Sequence, residues 1–482
     1  MNDQPPWLRR RPLAVGVALL TPLLALCERP QSGVSSPPAV SAQLGPRLRM
    51  RISGNLEGRL EPCGCASGQL GGLARRAFYL QQDRNYDLLI EGGNAVKDGS
   101  PLESEKLATA LSVLDLRGYA VLGLGENDFL LPPRDLAMYL QGFAVTAVAS
   151  DLVENAPVNA GEAFPSKPYR DHEGAVPARI ASLVMHLPTG DAGKHFSLLP
   201  PERAWSQAMA ECPAERLRIL LVHGNEHEVR AAAGYAPRPD LVVGVSQAFN
   251  EPPGQPETVN GVPVVFTGIR GRMLLDVTLA RRESDGTPEL TRYEVVGLAG
   301  SKTAPGAAED RETRAMILDH RHQVQTLGLR ERMAEQKPAP GGRRYVGSDA
   351  CADCHEAATK AWKASKHAQA WATLEKAESG TRYGWPVTAY PDCVGCHVVG
   401  YGERSGFVNA DKTPGLRDVG CEACHGPGDQ HIEAYAEGLE PKEGDKGFMG
   451  RVGPHPCLRC HDFEQSPTFV FNDRWKEIEH GR

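Results

Sequence analysis

An α/β layered domain followed by a mainly α-helical, loop-rich domain is the architecture this sequence predicts, and three observations lead to it. Apolar, β-branched runs alternate with helical stretches from residue 47 to about 300. After Arg343 the apolar runs shorten and loops dominate. Eight of the twelve cysteines fall between Cys351 and Cys460, in a spacing that repeats.

The elements follow in chain order. Arg9 to Arg11 form a positive n-region, and Leu13 to Leu26 a short apolar run, too short to cross a bilayer. Residues 1–27 therefore read as an export signal. Its end, Leu24-Ala25-Leu26-Cys27, fits either ordinary cleavage or lipidation of Cys27 with membrane attachment. Residues 28–46, rich in Pro, Ser, Gly and Ala, read as a tether.

Strands are expected at Arg47–Leu56, Tyr86–Asn94, Tyr119–Glu126, Phe143–Leu152, Ala178–Leu187, Leu217–Gly224, Asp240–Ser246, Val262–Gly268 and Met273–Arg281, with helices at Gly72–Gln82 and Leu102–Arg117. Residues 301–342 form a connector. Within it the charged, Pro-free stretch Ala307–Gln336 is expected as one helix, and Lys337-Pro-Ala-Pro-Gly-Gly342 ends it. From 343 to 482 apolar side chains are too few for a conventional core, so a bound cofactor has to supply one.

The repeated spacing names that cofactor. Cys351-x-x-Cys354-His355, Cys393-x-x-Cys396-His397, Cys421-x-x-Cys424-His425 and Cys457-x-x-Cys460-His461 each place two thiols for thioether bonds to one haem, with the next residue's imidazole turned to the iron. A zinc site would leave the histidine after every pair unexplained, and a Cys-x-x-Cys disulfide is a reducible bridge rather than a staple. Four covalent c-type haems are expected. Sixth ligands must come from His367, His431, His455 and His480, because the only methionine after Arg343 is Met449. Bis-His ligation, which lowers the potential, follows. The net charge of −7 gives no reason to expect a nucleic-acid partner.

The stretches Cys351-x-x-Cys-His…Trp362-Lys…His367-Ala, Cys393-Val-Gly-Cys-His-Val-Val-Gly-Tyr-Gly, Gly420-Cys-Glu-Ala-Cys-His-Gly-Pro-Gly428 and Phe471–His480 resemble the cytochrome c-554 family. In that family three haems are bis-His and one lacks a distal protein ligand. Carried over by position, the resemblance implies His431 on the first haem, His480 on the third and His367 on the fourth. It leaves His397 on a haem with an open face. His455 has no counterpart there; His455, or His320 or His322 of the connector, is the alternative cap for that iron.

Residues 47–300 resemble the calcineurin-type metallophosphoesterases, through Asn55-Leu-Glu57-Gly-Arg-Leu, Gly71-Gly-Leu-Ala-Arg-Arg76, Leu89-Ile-Glu-Gly-Gly-Asn94, Gly125-Glu-Asn-Asp-Phe129 and His223. The family's metal ligands are mostly replaced: Asn55 and Glu57 stand for Asp and His, Asn94 for Asp, Glu126-Asn127 for Asn-His, and Val245-Ser-Gln247 for Gly-His-x-His. A dinuclear centre needs charged ligands at close range, so none of the family type is expected. Cys63-Gly-Cys65 remains, as a strained disulfide, a metal site or a redox relay. Cys212 is assigned no role.

The sequence thus reads as an exported electron-transfer protein with redox protein partners and a scaffolding or docking domain. A haem oxidoreductase acting on a small nitrogen or sulfur compound at the His397 haem is the alternative, and a metal-dependent phosphoesterase the second.

Overall fold

The computed structural model describes residues 44–480 apart from 160, 302–305, 381–383 and 451. The expected export signal, Cys27 and nearly all of the tether lie outside the described residues. Gln43–Arg482 group as one compact unit.

The chain enters on β1 (Leu44–Ser53) and continues through α1 (Leu73–Gln82), β2 (Leu88–Glu91), α2 (Pro101–Arg117), β3 (Val121–Gly123), α3 (Pro133–Gln141) and β4 (Thr146–Val148). Next come β5 (Leu152–Glu154), β6 (Arg170–His172), β7 (Ala178–Leu183), α4 (Ala192–His195), β8 (Phe196–Leu198), α5 (Pro201–Met209), β9 (Leu217–Val222) and α6 (Glu226–Ala232). β10 (Leu241–Gly244), β11 (Glu257–Val259), β12 (Val262–Phe266), β13 (Met273–Arg282) and β14 (Pro288–Gly297) complete the strands. They form two six-stranded sheets, ordered β14-β13-β1-β2-β3-β4 and β11-β12-β10-β9-β7-β6, and a β5–β8 pair.

One apolar cluster joins the inner faces of both sheets, including Met50, Ile52, Ile90 and Val121 from the first and Ile180, Ile219, Leu221 and Val243 from the second. α2 and α3 cover the outer face of the first sheet, and α5 and α6 that of the second. The result is a helix–sheet–sheet–helix sandwich. Its central strands are buried on both faces, which is why they read as continuous apolar runs.

β1 begins at Leu44, inside the stretch expected as tether. Leu44 pairs with Arg282 and Arg47 with Ala280, with a shift of register between them. That irregularity accommodates Pro46, which has no N–H to give to a ladder.

The connector is not one helix. α7 (Arg311–Thr326), capped by Asp310 accepting from the Thr313 N–H, stops before Gly328, and α8 (Leu329–Met333) starts anew. Gly328 has φ 60°, a left-handed conformation that favours glycine and ends the first helix. The expectation of too few apolar side chains after 343 is also corrected in part. Trp371, Leu374, Trp385, Val387, Tyr390, Val394, Val399, Phe407 and Leu416 form a side-chain core with Leu102, Val324 and Leu329. Helices α2, α7 and α8 lend apolar faces that the segment lacks alone. Beyond His425 the expectation fits: among the described residues only the small apolar side chains Pro427 and Ala434 are buried.

Candidate functional site

Each Cys-x-x-Cys-His motif sits in a short turn or helix. Cys421–His425 is helical, and the others occupy one-turn helices running into a turn. The backbone brings the motifs together in twos. The Cys351 and Cys421 thiols adjoin, each shifting the other's titration, and so do those of Cys396 and Cys460. First and third motifs therefore adjoin, as do second and fourth, a pairing with no local signal in the sequence.

Three pairs of imidazoles face each other across the same kind of gap. Ring centres are 6.2 Å apart for His355 and His431, 6.1 Å for His367 and His461, and 6.0 Å for His425 and His480. Two imidazoles that each bond one metal through a ring nitrogen at about 2 Å have centres about 6 Å apart. Among the described residues no second imidazole faces His397. His455 and His322 are exposed, and His320 is buried with its Nε2 3.1 Å from the Tyr390 hydroxyl.

The other ring nitrogen is held in several of these histidines. Nδ1 lies 2.6 Å from the Ala370 carbonyl in His397, 3.1 Å from that of Gly447 in His431, 2.8 Å from that of Ile478 in His480, and 2.9 Å from Ser466 Oγ in His461. An Nδ1–H given to a carbonyl fixes the tautomer that leaves Nε2 free for a metal. Burial holds His367, His397, His425 and His461 below the usual imidazole range, in the neutral form that ligates. The donor set therefore fits haem. So does the surface around it: Ile432, Tyr435, Leu439, Phe448, Leu458, Phe463 and Val470 are exposed, an apolar lining suited to a porphyrin face.

The sheet-end loops where the phosphoesterase resemblance lies are built differently. Asn55 Nδ2 donates to the Ser246 carbonyl at 3.0 Å and the Gly268 carbonyl at 3.2 Å, and Asn94 Nδ2 donates to Asn55 Oδ1 at 3.0 Å. The Asn127 N–H in turn donates to Asn94 Oδ1. Amides satisfy one another at positions where that family has metal ligands. His223 is buried, lies 3.3 Å from Ser182 Oγ, and is pushed down to about 3 by burial. Glu126 is exposed, whereas Glu57 is half-buried with Oε1 buried and unpartnered, and burial raises its pKa.

The segment after the fourth motif closes over these loops. Arg270 bonds Asp462 at 2.9 Å and Glu464 at 2.5 Å, and lies over the Phe463 ring at 4.9 Å. Arg59 is 3.8 Å from Glu464. A second tie joins α2 to the second motif: buried Lys106 bonds Glu103 at 2.7 Å and Asp392, next to Cys393, at 2.6 Å. Sequence reasoning does not single out these junction residues, since the arginine and its acids lie 192 and 194 positions apart.

A model of the family described as cytochrome c554 and c-prime matches residues 350–426. The cytochrome c-554 of Nitrosomonas europaea is 37% identical over 172 residues, covering 28% of this chain and 73% of that protein. The chain belongs to the cytochrome c554 family. It is accordingly a c-type cytochrome, with covalently bound haem and an electron-transfer role. The solved reduced cytochrome c554 of the same organism is 26% identical, over 28% of this chain and 83% of its own, with a TM-score of 0.23.

Solved structures similar over the larger part of the chain include a 5'-nucleotidase precursor from Thermus thermophilus, at 18% identity and TM-score 0.47, covering 64% of this chain and 67% of that one. The NAD nucleotidase of Haemophilus influenzae, at 14% and 0.49, is matched over 63% of this chain and 64% of its own, a little under two-thirds of its length. No helix among the described residues is long and apolar enough to cross a membrane.

Proposed function

We propose that this cytochrome is an exported electron carrier with four covalent haems, three bis-His and one, on His397, with an open distal face. The observation that carries the reading is the set of four Cys-x-x-Cys-His motifs with three facing imidazole pairs at 6.0–6.2 Å and none at His397. Cys351/Cys354, Cys393/Cys396, Cys421/Cys424 and Cys457/Cys460 would hold the haems as thioethers. His355 with His431, His425 with His480, and His461 with His367 would ligate the first, third and fourth irons.

Bound haem supplies one-electron iron chemistry. The chain's own residues do the rest. The carbonyls of Ala370, Gly447 and Ile478 fix imidazole orientation, and the adjoining motifs, first with third and second with fourth, would hold their haems side by side for transfer. The sandwich serves as scaffold or docking surface for redox partners. Its amide network and the Arg270 clamp support a loss of phosphoesterase activity.

Denatured protein should give a pyridine haemochrome of about four per chain, and the native spectrum one high-spin haem in four. Two haems or fewer would sink the tetrahaem reading. A second reading, an oxidoreductase acting on a small nitrogen or sulfur compound, is favoured by the unpaired His397. It requires sub-stoichiometric nitric oxide binding, and four low-spin irons inert to small ligands would eliminate it.

A further inference from the structure

The loop that follows β1 carries two cysteines that the haem sites do not use. Cys63 and Cys65 flank Gly64, whose φ of 75° makes the tight turn available to glycine. Their thiols adjoin, each shifting the other's titration. Cys63 Sγ also accepts the Cys65 backbone N–H at 3.3 Å and Gln69 Nε2 at 3.1 Å. Gln69 clasps the turn from both sides, since its Oε1 accepts from the Gly64 N–H at 2.8 Å. Two N–H donors thus converge on one sulfur.

This loop is seated against the haem-bearing segment. Gln69 Nε2 donates at 3.1 Å to the carbonyl of Glu464, three residues beyond His461. Glu61 forms an ion pair with Arg321, which lies 3.9 Å over the Trp385 ring. The same Arg321 lies 5.9 Å over the Tyr390 ring, and the Tyr390 carbonyl accepts the Cys393 N–H at 3.0 Å, which seats the loop at the second motif as well as the fourth. The Cys393 thiol is raised chiefly by burial and by Asp392, with Cys63 a further contributor; Cys396 is raised by Cys460 and burial, with Cys65 a further contributor.

We propose that Cys63 and Cys65 are a dithiol–disulfide couple that exchanges electrons with the haems of the adjoining second and fourth motifs and stores two electrons beside the one-electron carriers. The identity of the electron acceptor rests on the haem reading above. The chemistry balances simply. The Cys63 thiolate bonds to the Cys65 sulfur, the Cys65 S–H bond breaks and its proton leaves to water. The two electrons released reduce two ferric haem irons, one each. The reverse step cleaves the S–S bond with two electrons and one proton. The neighbouring Cys65 thiol foremost, and then the hydrogen bonds from Gln69 and the Cys65 N–H, bring the Cys63 thiol down to about 6 against the opposing effect of burial, so the nucleophilic form predominates at neutral pH. With a single residue between the cysteines the disulfide is strained, and strained bridges are the readily reduced, redox-active ones.

The test is a coulometric titration of the full holoprotein with dithionite, scored against haem measured separately by pyridine haemochrome. The wild type should accept two electrons more than its haem count, and Cys63→Ser or Cys65→Ser should accept only as many as it has haems. Maleimide labelling of the wild type followed by peptide mapping gives an answer that needs no variant: two labels on the peptide spanning 63–65 after reduction, none after oxidation. No excess electrons at full haem loading, or labelling that ignores redox state, overturns the couple and leaves the haem reading standing. A low haem count with the two-electron excess intact would do the reverse.

Discussion

The sandwich and the last fifty or so residues solve the same problem in opposite ways. Strands β7, β9 and β10 are buried almost throughout and pack against strands from the facing sheet. Among the described residues from Gly426 to His480 two small apolar side chains, Pro427 and Ala434, are buried, while seven large ones are exposed. The first region carries its core in its sequence. The second carries attachment points, and its core arrives with the cofactor. Between them, residues 370–416 borrow apolar faces from α2, α7 and α8.

Three substitutions or conditions probe that contrast, and the largest effect belongs to the sandwich. Arg76 on α1 and Glu91 on β2 form a buried pair at 2.5 Å, with Arg76 also donating to Ser53 Oγ at 3.0 Å. Arg76→Met leaves Glu91 charged and unpaired in the core, and urea unfolding should show a loss of about 3–5 kcal/mol. The double change Arg76→Met with Glu91→Leu should recover most of it, because two apolar groups replace the pair without desolvation cost. If the double variant is as unstable as the single one, the pair is not what holds α1 to the sheet.

In the haem-bearing region the counterpart is Glu422, buried inside the third motif. Its carboxylate accepts the N–H groups of Gly347 and Gly428 at 2.8 Å and of Val346 at 3.0 Å. Glu422→Ala strands those donors and should lower stability by about 3 kcal/mol, whereas Glu422→Gln keeps an acceptor and should cost about half as much. Haem content should stay the same in both, since neither change touches a thiol or a ligand. Loss of the third haem in the Gln variant would mean that Glu422 guides attachment rather than packing.

The last effect is confined to acid and lies at the junction. Burial, reinforced by the Lys106 charge, brings His320 down to about 4 from an ordinary value of 6.5. Below pH 6.5 the unfolded chain binds a proton there that the folded chain refuses. The stabilisation is therefore complete above about 6.5 and declines as pH falls toward 4, by at most about 1.4 kcal/mol per pH unit. Denaturation midpoints measured between pH 7 and 4 should flatten in His320→Phe; an unchanged slope would assign acid sensitivity elsewhere.

What the sequence makes legible follows the same division. All nine expected strands exist, because central strands buried on both faces leave long apolar runs such as Leu217–Val222. β14 escapes such a reading: it is an edge strand, Pro288–Gly297, mostly half-exposed with polar residues interleaved. β6 and β11, each three residues at a sheet edge, leave too short a pattern. The haem motifs are legible because thioether attachment confines their chemistry to five consecutive positions. The pairing of the motifs, the Ala370 carbonyl behind His397 and the Arg270 clamp are not, because each joins residues far apart in sequence. The break at Gly328 is hidden because a single glycine amid good helix formers does not by itself announce a left-handed turn.

The Gln69–Glu464 hydrogen bond spans 395 positions, nearly the whole described chain. Contacts of such separation form late, since the loop they close must be ordered before they are rewarded. Residues near the start of the sandwich thus wait for residues made 395 positions later. The sandwich can assemble its sheets first, but the cover over its loops comes only when the carboxyl-terminal segment docks. Assembly of this molecule finishes where its first strand ends.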